Sequence, residues 1–234
     1  MRLARAGVKR TAGGVSQLIH KGTDMLAFMN GLKVLHADDA LVVVDKPAGV
    51  LAVPGLGAGL HDNLTTWVQS RFNDARVVHR LDQATSGLML FARGAAMQRA
   101  LSMAFEARRV DKRYVAVVAG RIDGDEGSIA APLSADWPQR PRQKVDAEHG
   151  KPALTHWRLL ERGAETSRLE LHPVTGRTHQ LRVHLQSIGH PIVGDALYAP
   201  LPQPGTRLLL HATRLELLHP QTQQRCIYTS AAPF

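Results

Sequence analysis

Between residues 32 and 230, short strand-like runs of alternating or β-branched apolar residues succeed one another, with helical spacing only here and there, and this order most limits the fold. Strands are predicted at 32–36, 41–45, 88–92, 112–119, 151–160, 167–172, 207–212 and 214–218, with an edge strand within 222–230. Helical spacing is confined to Leu64, Trp67, Val68 and Phe72, to Met97, Leu101, Ala104 and Phe105, and to Leu181, His184, Leu185 and Ile188, with Asn63 and Thr178 as N-caps and Gly189 as a stop. Regular βα alternation is missing, so the expected class is α+β, a mixed and largely antiparallel central sheet with flanking helices, not a doubly wound fold. Residues 31–234 should form one domain. Residues 1–30, interrupted by Gly13, Gly14 and Gly22, show no sustained period and read as a mobile basic extension.

The net charge of +9 points to a polyanionic partner, but six basic residues against one acid put +5 of it in residues 1–33. Bulk charge is therefore modest evidence for nucleic acid, and the placement of the remaining cations matters more. No apolar run approaches a membrane span, and Ser16, Gln17, His20 and Lys21 interrupt every candidate signal-peptide core, so the expected location is the cytoplasm. A lone cysteine, Cys226, excludes an internal disulfide and the Cys-rich zinc patterns.

The densest chemistry lies in VHRLDQATSGLMLFAR, residues 78–93, where Asp82 sits between His79-Arg80 and a polar turn that feeds an apolar strand through Gly87. Two readings stand for Asp82: an ordinary turn aspartate bonding its own backbone, or a working carboxylate kept ionised by a neighbouring cation such as Arg80. Tyr114 shares a strand face with Ala116 and Val118, which suits a core aromatic. Arg177 is expected just before a helix N-terminus, where the helix dipole disfavours a cation. DWPQRPRQK, residues 136–144, cannot be a regular helix or central strand because of Pro138 and Pro141. Its Arg140, Arg142 and Lys144 suit either a solvated loop or contacts to RNA phosphates.

Several reaction classes fail on spacing. His179 and His184 are five apart, whereas a helical metal-binding pair sits four apart, so no metal site is expected. Phosphate-cradling glycine loops and the GxSxG elbow do not occur. The usual glycosidase pairs two carboxylates, and the motif around Asp82 holds one. One carboxylate could still act on C1′ or C2′ of a nucleoside whose base leaves and rejoins, since that isomerisation needs no attacking water.

HRLDQATSGLMLFA resembles the signature of the RluA family of RNA pseudouridine synthases, and VVVDKPAGVLAVPG, KRYVAVVAG, TGRTHQLRVHLQSIGHPIVGDALY and RLLLHA resemble its other motifs in the expected order. PLSADWPQRPRQKV and EHGKPA resemble the RluA branch, whose members act on both an rRNA hairpin and a tRNA anticodon stem-loop. The resemblance, over residues 32–232, implies a pseudouridine-synthase-like fold with a central basic cleft and no cofactor. It implies a monomer acting on structured RNA, with tRNA uridine 32 and 23S rRNA uridine 746 as targets. Asp82 would attack the sugar or abstract its C2′ proton, after which uracil rotates and rejoins through C5. Tyr114 would pack against the flipped base, Arg177 would pair with Asp82, and Arg80 would enter the space the nucleotide leaves. Residues 1–31 do not resemble the S4-type RNA-binding domain that many members carry, so the choice of RNA would rest on the catalytic domain and on Arg140, Arg142 and Lys144.

Overall fold

The structure, a computed structural model, describes residues 32–55, 63–199 and 207–234; the extension expected at 1–30 lies outside them. Strands β1 (Lys33–Ala37) and β2 (Leu41–Lys46) form a hairpin whose turn is organised by Asp38, its Oδ1 accepting the N–H groups of Ala40 and Leu41. Helix α1 (Leu64–Arg71) begins at Asn63, whose side chain accepts the N–H of Thr66 at 3.1 Å, as an N-cap should. It buries Leu64, Trp67 and Val68. Strand β3 (Ala75–Val77) then leads through the Asp82 turn into β4 (Ser86–Arg93), which continues directly into α2 (Gly94–Glu106).

The second half comprises β5 (Asp111–Ala119), β6 (Glu126–Ile129), β7 (Leu133–Ala135), β8 (Gln143–Val145), β9 (Thr155–Arg162) and β10 (Thr166–Pro173). Helix α3 (Gln180–Ser187), β11 (Leu210–Leu218) and β12 (Arg225–Thr229) complete it. Ten strands join in the order β1-β2-β4-β11-β5-β10-β9-β6, with β3 on β4 and β12 on β11, while β7 and β8 form a separate two-stranded ribbon. All pairings are antiparallel except β4 with β11. The α+β expectation is met.

The β4–β11 junction positions everything that follows. The two strands pair only at Ser86 with His211 and Gly87 with Ala212, after which β3 takes the edge of β4 and β12 that of β11. Close approach there requires glycine: a Cβ on Gly87, at φ +111°, would lie 2.4 Å from the Ala212 carbonyl oxygen. One apolar core gathers β2, β4 and α2, and another gathers β5, β10 and α3; Tyr114 packs against both.

Two local expectations change, at β11 and at the start of α3, while the 136–144 segment is, as expected, neither regular helix nor central strand. Where two strands were expected, at 207–212 and 214–218, a single strand, β11 (Leu210–Leu218), runs through with a bulge between Ala212 and Arg214, and residues 207–209 lie ahead of it outside the strand. The bulged Thr213 bonds sideways, its Oγ1 donating to the Arg113 carbonyl and its own carbonyl accepting from Ser230. The 136–144 segment is the tip of the β7–β8 ribbon: a 3₁₀ turn, Trp137–Gln139, holds Pro138, and residues from Gln143 onward are strand. At α3 the cap position belongs to His179, not Thr178, in the left-handed region at φ 54° and ψ 17°.

Candidate active site

The turn bearing Asp82 is clamped on both flanks. Ahead of it, His79 Nε2 accepts the Leu90 N–H at 2.9 Å and the ring stacks on Phe105. Burial, with a smaller push from the Lys112 charge, takes this imidazole down to about 3, so it is neutral and structural. Behind it, the fully buried Lys46 donates from Nζ to the carbonyls of Pro47 (2.9 Å), Val50 (2.7 Å) and Gln83 (3.0 Å). Burial draws this ammonium down to about 7, against the opposing pull of Asp82's charge. The Gly49 N–H also donates to the Gln83 carbonyl, and Gln83 Nε2 donates back to Gly49.

Two carbonyls, those of Pro47 and Val50, therefore depend on the Lys46 side chain, and that of Gln83 shares it with the Gly49 N–H. Lys46→Met should cost about 3 kcal/mol by leaving the first two without that donor and the turn with one tie fewer, measured by urea unfolding. A cost below about 1 kcal/mol would mean that the turn holds without its clamp.

Asp82 opens into a cleft of about 580 Å³, a volume within the range of small-ligand sites. Arg80, Arg108, Lys112 and Arg177 line it together with Tyr114. The structure thus brings Arg80, Asp82, Tyr114 and Arg177 to one basic cavity. The Tyr114 phenol is pushed up, first by burial and then by the Asp82 charge, so it stays protonated.

The pairing expected between Arg177 and Asp82 is not what the geometry shows. Arg177 donates from Nε to the Pro152 carbonyl at 3.1 Å, from an exposed position at the rim. The guanidinium that faces Asp82 is Arg182, with Nη1 3.6 Å from Asp82 Oδ2. Arg182 is buried on α3 and also binds Asp195 in a two-pronged pair, Nε to Oδ2 at 2.8 Å and Nη2 to Oδ1 at 2.7 Å. Asp195 is itself fully buried and accepts the N–H groups of Leu197 and Tyr198. The physical reason is the start of α3: Gln180 Oε1 accepts the Arg177 N–H and the Thr175 hydroxyl, which fixes residue 177 before the helix while residue 182 turns inward.

His179 also faces Asp82, with Nε2 3.9 Å from Oδ1. Arg182, Asp195 and Tyr198 are the residues that sequence reasoning passed over, and His179 was weighed only as a metal ligand. The available signal was an arginine between Leu181 and Val183 on an apolar helix face with an aspartate thirteen residues later, since a buried cation needs a buried partner.

Of the ribbon residues, Arg140 is exposed and its guanidinium lies 3.3 Å from the centre of the Trp137 ring, and Lys144 is exposed. Arg142 turns inward, donating to Gln139 Oε1 and lying over the Tyr198 ring. Among the described residues no group of three or more His, Cys, Asp or Glu could hold a metal ion, and no helix is long and apolar enough to cross a membrane.

Comparison with known proteins agrees with this geometry. The sequence profile of the RNA pseudouridylate synthase family matches residues 40–187. The dual-specificity RNA pseudouridine synthase RluA of Pasteurella multocida is 43% identical over 207 residues, covering 87% of this chain and 94% of that protein. The protein of the same name from Escherichia coli K12 is 44% identical over the same shares. Among solved structures, human RNA pseudouridylate synthase domain containing 1 superposes with a TM-score of 0.74 at 29% identity, over 88% of this chain and 85% of that one. A profile match across most of the fold, relatives above 40% identity over nearly their full length and a shared architecture place this chain in the RNA pseudouridylate synthase family.

Proposed function

We propose that the protein converts uridine to pseudouridine in two structured RNAs, a tRNA anticodon stem-loop and a hairpin of large-subunit rRNA, with Asp82 as the reacting carboxylate. The observation that carries the reading is the setting of Asp82: partly exposed in a basic cleft, beside a partly buried, protonated Tyr114 and 3.6 Å from an arginine already neutralised by Asp195. A carboxylate so placed can attack C1′ of a flipped nucleotide as its bond to uracil N1 breaks, or take the C2′ proton as that bond breaks. The uracil rotates, C5 bonds to the sugar as the carboxylate is displaced or returns the proton, and C5 then loses its hydrogen. Taking the base from its stack costs a few kcal/mol, least in a hairpin loop. Tyr114 provides a face for the extruded uracil, and Arg80 at the rim can fill the gap left in the RNA. Dual specificity is supported by the relatives' own naming. The proposed enzyme works as a monomer where tRNA and rRNA are found, the cytoplasm.

The test is to incubate the protein with each unmodified hairpin and assay for pseudouridine. Product in both RNAs is expected; free uracil as the main product would overturn the isomerisation.

The β7–β8 ribbon is the proposed RNA contact. Trp137, two-thirds exposed with Arg140 stacked on it, presents a flat cationic face of the kind that bases stack on. Trp137→Ala should weaken RNA binding by about 1–3 kcal/mol while leaving conversion at saturating RNA within twofold. Affinity should fall steeply with added salt. Equal affinity of the variant and the native protein in filter binding would remove the ribbon from the interface.

A further inference from the structure

The inward side of the same ribbon ends at Asp82. Gln143, the first residue of β8, donates its backbone N–H to the Tyr198 hydroxyl at 2.8 Å. That hydroxyl lies 2.7 Å from His179 Nδ1, and His179 Nε2 lies 3.9 Å from Asp82. A backbone N–H can only donate, so the tyrosine oxygen accepts there and has its own proton for Nδ1. Burial pushes the phenol up and keeps that proton on it. Burial also pushes the His179 imidazole down, aided by the charges of Arg182 and Arg80 and opposed by those of Asp82 and Asp195. A neutral imidazole that accepts at Nδ1 carries its hydrogen on Nε2, the atom turned toward the carboxylate.

Taking Asp82 as the reacting group and the ribbon as an RNA contact, we propose that His179 is a positioning residue for Asp82, with its tautomer set by Tyr198. RNA seated on the ribbon would then bear on the carboxylate through Gln143, Tyr198 and His179. The placement is exacting at both ends. Asp195 holds the Leu197 and Tyr198 N–H groups, fixing the tyrosine, while Arg142 and Arg182 lie over its ring at 5.5 and 5.1 Å. His179 meets the same ring edge-on from a left-handed backbone that histidine and asparagine tolerate better than most residues. The 3.9 Å separation from Asp82 is too long for a hydrogen bond and leaves room for the contact to close when RNA binds.

The test combines two readouts on the full chain. Nitrogen-15 NMR of histidine-labelled protein, with His179 assigned by its loss in His179→Asn, should show a neutral ring at pH 7 with hydrogen on Nε2; hydrogen on Nδ1 would overturn the proposal. Tyr198→Phe should erase that tautomer preference and slow single-turnover conversion by about ten- to a hundredfold, with RNA affinity within twofold. His179→Asn should slow it equally, and the double variant no further. Full rate in either single variant, or losses that multiply in the double one, would refute the coupling. If native protein yields no pseudouridine in any hairpin, the functional reading fails instead, and the tautomer result stands on its own.

Discussion

Asp82→Ala is expected to lower single-turnover pseudouridine formation by about 10⁴-fold or more, the scale seen when a group that bonds to substrate is removed. RNA binding should persist or tighten, because an anion leaves a cleft lined by Arg80, Arg108, Lys112 and Arg177. The fold should also persist. Arg182 keeps its two-pronged bond to Asp195, and the turn keeps the Lys46 and His79 clamps, none of which uses the Asp82 carboxylate. A variant with native melting temperature, affinity at least that of the native protein and no product is therefore the expected result, with thermal unfolding and filter binding as the checks. Retained turnover would take Asp82 out of the chemistry.

Arg182→Met should fail in a different way. Asp195 has no exposed side-chain surface, and removing its cation strands a buried carboxylate, at a cost of about 3–5 kcal/mol. Asp82 loses its facing guanidinium in the same step, so turnover falls as well. Arg182→Met with Asp195→Leu separates the two effects. Replacing the whole pair by apolar groups removes the stranded charge but also takes the acceptor from the Leu197 and Tyr198 N–H groups, so only part of the stability should return, read in urea unfolding, while conversion stays impaired. Arg177→Met should change stability by less than about 0.5 kcal/mol, as an exposed substitution does. If Arg177→Met unfolded the protein and Arg182→Met did not, the assignment of the facing arginine would be reversed.

The difference between those two arginines shows where sequence reading stopped. Asn63 as a cap, Gly87 before an apolar strand and the strand bearing Tyr114 were all legible, because each rests on local chemistry: a side chain accepting a nearby N–H, a missing Cβ, a period of two. Which arginine reaches Asp82 is not local. It depends on Gln180 pinning residue 177, on the left-handed turn at His179 and on Asp195 arriving from beyond α3. The 207–218 run was split in two because a bulge interrupts alternation in a sequence just as a turn does; the sideways bonds of Thr213 that keep it one strand come from β5 and from Ser230. The motif resemblance supplied the family and the cleft, and the coordinates supplied the partner of the carboxylate.

The thin β4–β11 seam has a mechanical consequence. Asp82 is tied to its own side by bonds of 2.8 to 3.0 Å through Gln83, whereas Arg182 and His179 stand across from it at 3.6 and 3.9 Å, anchored on α3 and the turn before it. A hinge motion of a few tenths of an ångström at the two residue pairs joining these strands would tighten or slacken both approaches at once. Bulk at position 87 would act as a wedge between the carboxylate and the two groups that face it.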